Sequence, residues 1–222
     1  VFSVVDLRAG TTPDGGQRLR VEAIDPVAEL GFVLDLEMTP AGVVRLRGTV
    51  RNDGLTDYVL YRLALGLPVP SEATELLDLT GRHLFERSPQ SRPFAVGSRT
   101  REGRRGRTGL DATLLLVAGS AGFGFDSGQV WGLHVASSGN HFSYPEHLPG
   151  GQRLLAGGEL LLPAEITLGP AQAYTGPWVY ASYGNGLDAM SARVHEHLVP
   201  AGPSSLPTAG HPEHVGSGAF RP

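Results

Sequence analysis

Five arginines occupy the nine positions from Arg99 to Arg107, the densest collection of one functional group in the chain. Clustered guanidiniums bind phosphate and carboxylate oxygens, so a nucleic-acid patch is the first chemistry to weigh. The formal net charge of −4 counts against it. So does the lack of interleaved aromatics, because single-strand binders combine a basic groove with stacking rings. No nucleic-acid partner is expected, and a solvated loop is the plain alternative. His141, after the turn signal Ser138-Gly139-Asn140, is a candidate general base, although a turn between strands explains the run without chemistry. Trp131 and Trp178 are candidate sugar-stacking platforms; each lies in a strand pattern, which favours a core role.

Other chemistries fare worse. His195 and His197 are two apart in a helical stretch and point to different faces rather than at one ion. His211 and His214 lie in an aperiodic tail. The chain has no cysteine, which excludes disulfides and thiolate zinc sites. Neither a metal nor another cofactor is expected. All 18 basic residues are Arg, which removes lysine Schiff-base chemistry. Gly119, Gly122 and Gly124 are not followed by a helix, as a phosphate loop requires. The run Ala118–Gly122 is superficially like a nucleophile elbow, but it too lacks that helix and a placed Asp and His.

The elements that must carry these residues are strands. Apolar and polar residues alternate with period two over Arg18–Ala23, Phe32–Met38 and Val44–Arg51, the last ending in the turn signal Asn52-Asp53-Gly54. A fourth strand is expected from Tyr58 to Leu67, stopped by Pro68. Residues 112–118 are almost wholly apolar, as in a strand buried on both faces. Gln129–Ala136, Glu159–Leu162, Ala164–Leu168 and Trp178–Tyr183 complete a set of nine to twelve expected strands. With 31 glycines and 17 prolines in 222 residues, turns are frequent. The pattern predicts an all-β antiparallel fold of two packed sheets. One helix is expected after Gly186, where Leu187, Met190, Val194 and Leu198 fall at helical spacing. Pro200 and Gly202 stop it, and residues 200–222 read as a linker or tail.

Three blocks carry a resemblance. The first is Glu75-Leu76-Leu77-Asp78-Leu79-Thr80-Gly81-Arg82-His83-Leu84-Phe85-Glu86-Arg87, with Arg92-Pro93-Phe94 after it. The second is Arg101-Glu102-Gly103-Arg104-Arg105-Gly106-Arg107-Thr108-Gly109. The third is Gly128-Gln129-Val130-Trp131-Gly132 followed by Ser138-Gly139-Asn140-His141, with Thr175-Gly176-Pro177-Trp178 and Tyr183-Gly184-Asn185-Gly186-Leu187 later on. In order and spacing they resemble the N-terminal domain of family 36 glycoside hydrolases, the melibiase or α-galactosidase family. The chain departs from that family's pattern with Gly103 in place of Ser, Leu110 in place of His, Ser137 in place of an aromatic and no Trp near Leu84.

The resemblance implies an antiparallel supersandwich of the galactose-mutarotase type, spanning residues 1–185 with its first strands lost, and a helix at 186–199. It also implies a chemistry that needs a second domain. Retaining glycosidases use two carboxylates about 5–5.5 Å apart, and in this family both sit on a barrel that follows the sandwich and is absent here. The chain is therefore expected to lack catalytic residues and to be inactive alone. By the same resemblance Glu75 and Arg87 reach the galactose pocket, while Arg104 and Arg105 form ion pairs with the barrel or a neighbouring subunit. The expected partners are an α-galactoside, bound with the barrel, and further copies of the chain. Two alternatives stand beside this reading: a free-standing carbohydrate-binding module using Trp131 and Trp178, and an epimerase-like enzyme using His134 or His141 with Glu159. No apolar run approaches the roughly 18 residues that span a membrane. The N-terminus lacks a signal-peptide pattern, so a cytoplasmic location is expected.

Overall fold

The computed structural model of the protein describes residues 1–110, 115–137 and 139–199. Among them the strands run in chain order as β1 (Ser3–Thr11), β2 (Gln17–Asp25), β3 (Leu30–Met38), β4 (Val44–Asn52), β5 (Tyr58–Leu60), β6 (Leu65–Val69), β7 (Glu75–Arg82), β8 (Phe85–Pro93) and β9 (Gly97–Ser98). They continue as β10 (Arg101–Gly103), β11 (Leu115–Gly119), β12 (Gln129–Val135), β13 (His141–His147), β14 (Arg153–Glu159), β15 (Ile166–Leu168), β16 (Ala173–Thr175) and β17 (Val179–Asn185). Helix α1 (Leu187–Leu198) follows.

Period-two patterning builds the larger sheet. Strands β1 to β4 form an antiparallel meander in which Leu19, Leu36 and Leu46 share one face while Arg20, Asp35 and Arg47 share the other. The sheet has ten strands in the order β1-β2-β3-β4-β17-β12-β11-β7-β8, with β16 also on β4. A second sheet has the order β10-β13-β14-β6 with β9 on β13, and β5 pairs with β15 in a third. All pairings are antiparallel.

Alternation along β11 and β12 divides the interior. Leu116, Ala118, Leu133 and Val135 point between the two large sheets, where they meet Leu46, Leu76, Phe94, Leu155 and Val179. Val117 and Val130 point the other way and pack beneath Met190 of α1. A third cluster joins Leu30, Val50, Leu60, Leu161 and Leu168 under the small sheet. The second sheet stops short of the meander's far edge. On β1, Val4 and Leu7 are 63% and 60% exposed, so the larger sheet overhangs its partner.

Helix α1 begins where backbone carbonyls accept its first amides. Gly186, Leu187 and Asp188 donate to the carbonyls of Gly128, Gly124 and Phe125 at 2.6, 3.0 and 2.9 Å. Gly186 sits at φ 85°, and a Cβ there would run into the Phe125 carbonyl. The glycine-rich segment after β11 is thus a cap for the helix, supplying the acceptors its N-terminus lacks.

The all-β antiparallel class with one helix is as the sequence predicts, and no barrel lies among the described residues. Two strand limits differ. The stretch Tyr58–Leu67 is not one strand: β5 pairs with β15 in the small sheet, and the chain then crosses to β6 in the second sheet. Pro68 does not stop β6 but lies within it, which an edge strand tolerates because one row of its backbone groups needs no ladder partner. The strand expected at Glu159–Leu162 instead ends at Glu159, after running from Arg153. The expected tail at 200–222, residues 112–114 of the apolar strand and Ser138 lie outside the described residues. No helix among the described residues is long and apolar enough to cross a membrane.

Candidate functional site

Asp78 anchors one end of the sandwich. It points inward from β7 and is 7% exposed. Its carboxylate accepts from Arg92 of β8 at 2.8 Å and from Nε of Arg101 of β10 at 2.7 Å, tying the larger sheet to the second. The hydrogen bond from Arg101 and the charge of Asp78 hold that guanidinium above its ordinary pKa range. Beyond Asp78 the β7–β8 hairpin bulges: the register shifts between Thr80 and Arg82, with Leu84 at φ 66° and Arg87 at φ 54°. The backbone of residues 85–87 closes over Gly81, leaving no room for a Cβ there.

Opposite the bulge runs the loop that follows β10. Its Gly106 amide donates to Asn140 Oδ1 at 2.8 Å, and Arg104 Nε donates to Glu102 at 2.7 Å. Between loop and hairpin lies a cavity of about 440 Å³ lined by Arg82, His83, Arg105, Arg107, Thr108 and Leu110 among others. Three sequence blocks far apart in the chain meet here: the hairpin tip, the arginine-rich loop and the Asn140 turn. Three of its lining side chains, Arg82, Arg105 and Arg107, are guanidinium donors, while most of its surface is apolar.

His141 lies beneath the loop. It is 1% exposed, and its ring rests on Gly103, directly paired with it across β10 and β13. Its Nδ1 is 3.4 Å from the Gly139 carbonyl, while Nε2 is buried without a partner. Glu159 is its direct neighbour across β13 and β14, but Glu159 accepts a short hydrogen bond from Tyr174. Burial and that bond together push the Tyr174 hydroxyl well above its ordinary pKa. A ring this buried has no path to a substrate proton, so the geometry does not support His141 as a base. His134 lies on β12 beside Tyr180, and burial together with the charge of His141 lowers its pKa.

The sequence-derived sugar contacts are not brought together. Glu75 begins β7 on the face opposite Asp78, paired with Pro93. Arg87 lies six residues before Pro93 along β8, a separation on the order of 20 Å at strand rise. Arg87 is exposed at the bulge, near the cavity end; Glu75 is half-buried at the other. Arg104 and Arg105 both lie in the loop, and only Arg105 lines the cavity. The tryptophans offer no bare platform. Trp131 packs against the main core and Tyr183, and guanidiniums of Arg45 and Arg47 lie 4.7 and 4.5 Å from the Trp178 ring centre. His195 is exposed while the His197 ring meets Tyr180, so the two face apart. His211 and His214 are outside the described residues. Among the described residues no three metal-ligating side chains gather.

One polar cluster was not foreseen. On the outer face of the meander, Asp35 and Glu37 are 4% and 7% exposed under a cover of arginines. Arg18 and Arg20 donate to Asp35 at 2.7 and 3.0 Å, and Arg45 donates to Glu37 at 2.8 Å. The alternating Arg-x-Arg and Asp-x-Glu pairs were its signal, readable only once register is known.

A model of the glycosyl hydrolase family 36 N-terminal domain matches residues 6–169. The α-galactosidase of Escherichia coli is 34% identical over 181 residues, covering 81% of this chain and 26% of that protein. The chain thus spans about a quarter of that relative's length. Solved structures agree in fold. The family 36 α-galactosidase AgaB from Geobacillus stearothermophilus superposes with a TM-score of 0.79 at 20% identity, over 88% of this chain and 30% of that one. The α-galactosidase from Lactobacillus brevis gives 0.73 at 18% identity, over 89% and 28%. The chain belongs to the family of glycosyl hydrolase family 36 N-terminal domains.

Proposed function

We propose that this chain is the noncatalytic N-terminal domain of an α-galactosidase that removes terminal α-galactosyl residues from oligosaccharides. The observation that carries the reading is the family match over residues 6–169. The role is to shape the sugar pocket and assist assembly. Arg87, exposed at the hairpin bulge, contacts the galactosyl unit, and Glu75, half-buried at the other end of the hairpin, reaches the pocket at a separate point. Arg104 and Arg105 face the barrel or a neighbouring copy. The working enzyme is a cytoplasmic homo-oligomer.

Two assays test this. The purified chain should release no nitrophenol from a nitrophenyl α-galactoside; measurable release overturns the noncatalytic role. Joined to the Escherichia coli relative in place of that protein's own matching segment, the chain should restore activity that a deletion of the segment abolishes. A chimera as inactive as the deletion would remove the proposed partnership.

A further inference from the structure

The hairpin tip that carries Arg87 is built under strain. Leu84 and Arg87 both sit in the left-handed region, at φ 66° and 54°, and the backbone of residues 85–87 closes over Gly81. Residues other than glycine keep such conformations only where their surroundings over-determine them. Part of those surroundings is local: Arg82 lies over the Phe85 ring at 5.0 Å, and Glu86 accepts the Leu84 amide at 3.0 Å. These contacts shape the tip. They do not fix where it points, because β7 and β8 end the order of the ten-stranded sheet and the second sheet is a separate layer.

The direction is set below the bulge. Asp78 faces Gln90 across the hairpin, and Arg87 lies three residues nearer the tip than Gln90, a separation of about 10 Å at strand rise. The Asp78 carboxylate gathers guanidiniums from two sheets. Arg92 of the hairpin donates at 2.8 Å, and Arg101 of β10 donates from Nε at 2.7 Å and from Nη2 at 3.2 Å. The contact with Arg101 is a two-point fork, which fixes orientation as well as distance. The side chains of Asp78, Arg92 and Arg101 are 9%, 19% and 24% exposed, so salt screens the cluster little. Strand β10 in turn pairs with β13 through Arg101 and Ser143. The hairpin is thereby tied to the body of the second sheet directly under its strained tip.

We propose that Asp78 is a positioning residue for galactoside binding: through Arg92 and Arg101 it fixes the hairpin tip and so the aim of Arg87. This rests on the sugar contact of Arg87 proposed above, and Asp78 itself touches no substrate.

The test has two arms. In the intact chain, amide hydrogen exchange read by mass spectrometry compares Asp78→Asn with the unaltered protein. Amides of residues 79–89 should exchange at least about tenfold faster, while those of β2, β3 and β4 stay within about twofold. Asp35→Asn, which removes a covered acid with two arginine partners on the meander, should leave residues 79–89 unchanged. In the chimera with the Escherichia coli relative, Asp78→Asn should raise KM for the nitrophenyl α-galactoside about tenfold with kcat within about twofold, the mark of a lost binding contact. Asp78→Glu should recover part of that loss. Unchanged exchange in residues 79–89, or exchange raised equally along the whole chain, overturns the proposal, as does an unchanged KM or a loss confined to kcat. An inactive chimera of the unaltered chain counts against the proposed function alone, and the exchange arm then decides the role of Asp78.

Discussion

At the scale of single residues, the interior of the open end is governed by a missing Cβ. Gly103 is flat against the His141 ring, and any side chain there must displace it. Gly103→Val should therefore destabilise the fold by about 2–3 kcal/mol, as overpacking does, read as a lower urea midpoint; His141→Ala in the same chain should recover part of the loss. An unchanged midpoint for Gly103→Val would show that the ring moves freely. Asp35 supplies a pH prediction. Burial works to raise its pKa, but the hydrogen bonds and charges of Arg18 and Arg20 outweigh it and hold the carboxyl below the ordinary range. Its contribution is thus fully present above the unfolded value, about 3.9, and disappears as pH falls through the lower folded value. Urea midpoints from pH 6 to 2.5 should fall in the acid range, and Asp35→Asn should flatten part of that fall. Parallel curves for the two proteins would deny the linkage.

At the scale of elements, helix α1 is attached to the larger sheet chiefly through one side chain. Met190 is 5% exposed and sits over Gly132 and Gly184, where any Cβ would strike it. Met190→Ala should cost about 2–4 kcal/mol and make the segment after Asn185 the first site of limited proteolysis; a protected helix would contradict this. Much of the element set is legible in the sequence. Arg18–Ala23, Phe32–Met38 and Val44–Arg51 lie inside β2, β3 and β4 because one face of each is polar and period two is visible. His141–His147 carries no such alternation: its residues are buried or half-buried on both faces, and Phe142 is covered by Arg62 at 4.0 Å. Where both faces are covered, period two fades, and β13 and β14 become hard to delimit. The resemblance brought out the residues of the open end, but their convergence on one cavity depends on sheet order, which no local pattern contains.

For the whole molecule, the overhang of the ten-stranded sheet sets the behaviour in solution. Among the described residues strand β1 is an edge of its sheet, and Val4, Val5 and Leu7 are each more than half exposed. Long apolar edges invite pairing with another chain. The protein should therefore self-associate at micromolar concentration, and Leu7→Lys should shift it toward a monomer. A monomeric light-scattering mass for the unaltered chain would refute the expectation. The sheet order also has a meaning in time. Strand β17 is wedged between β4 and β12, so Val179 pairs with Leu46 on one side while its ladder to β12 closes the other. A ribosome delivers the meander early and its flanking strand last. Until β17 emerges, the nascent chain carries two half-sheets with facing open edges, and chaperones have that interval in which to shield them.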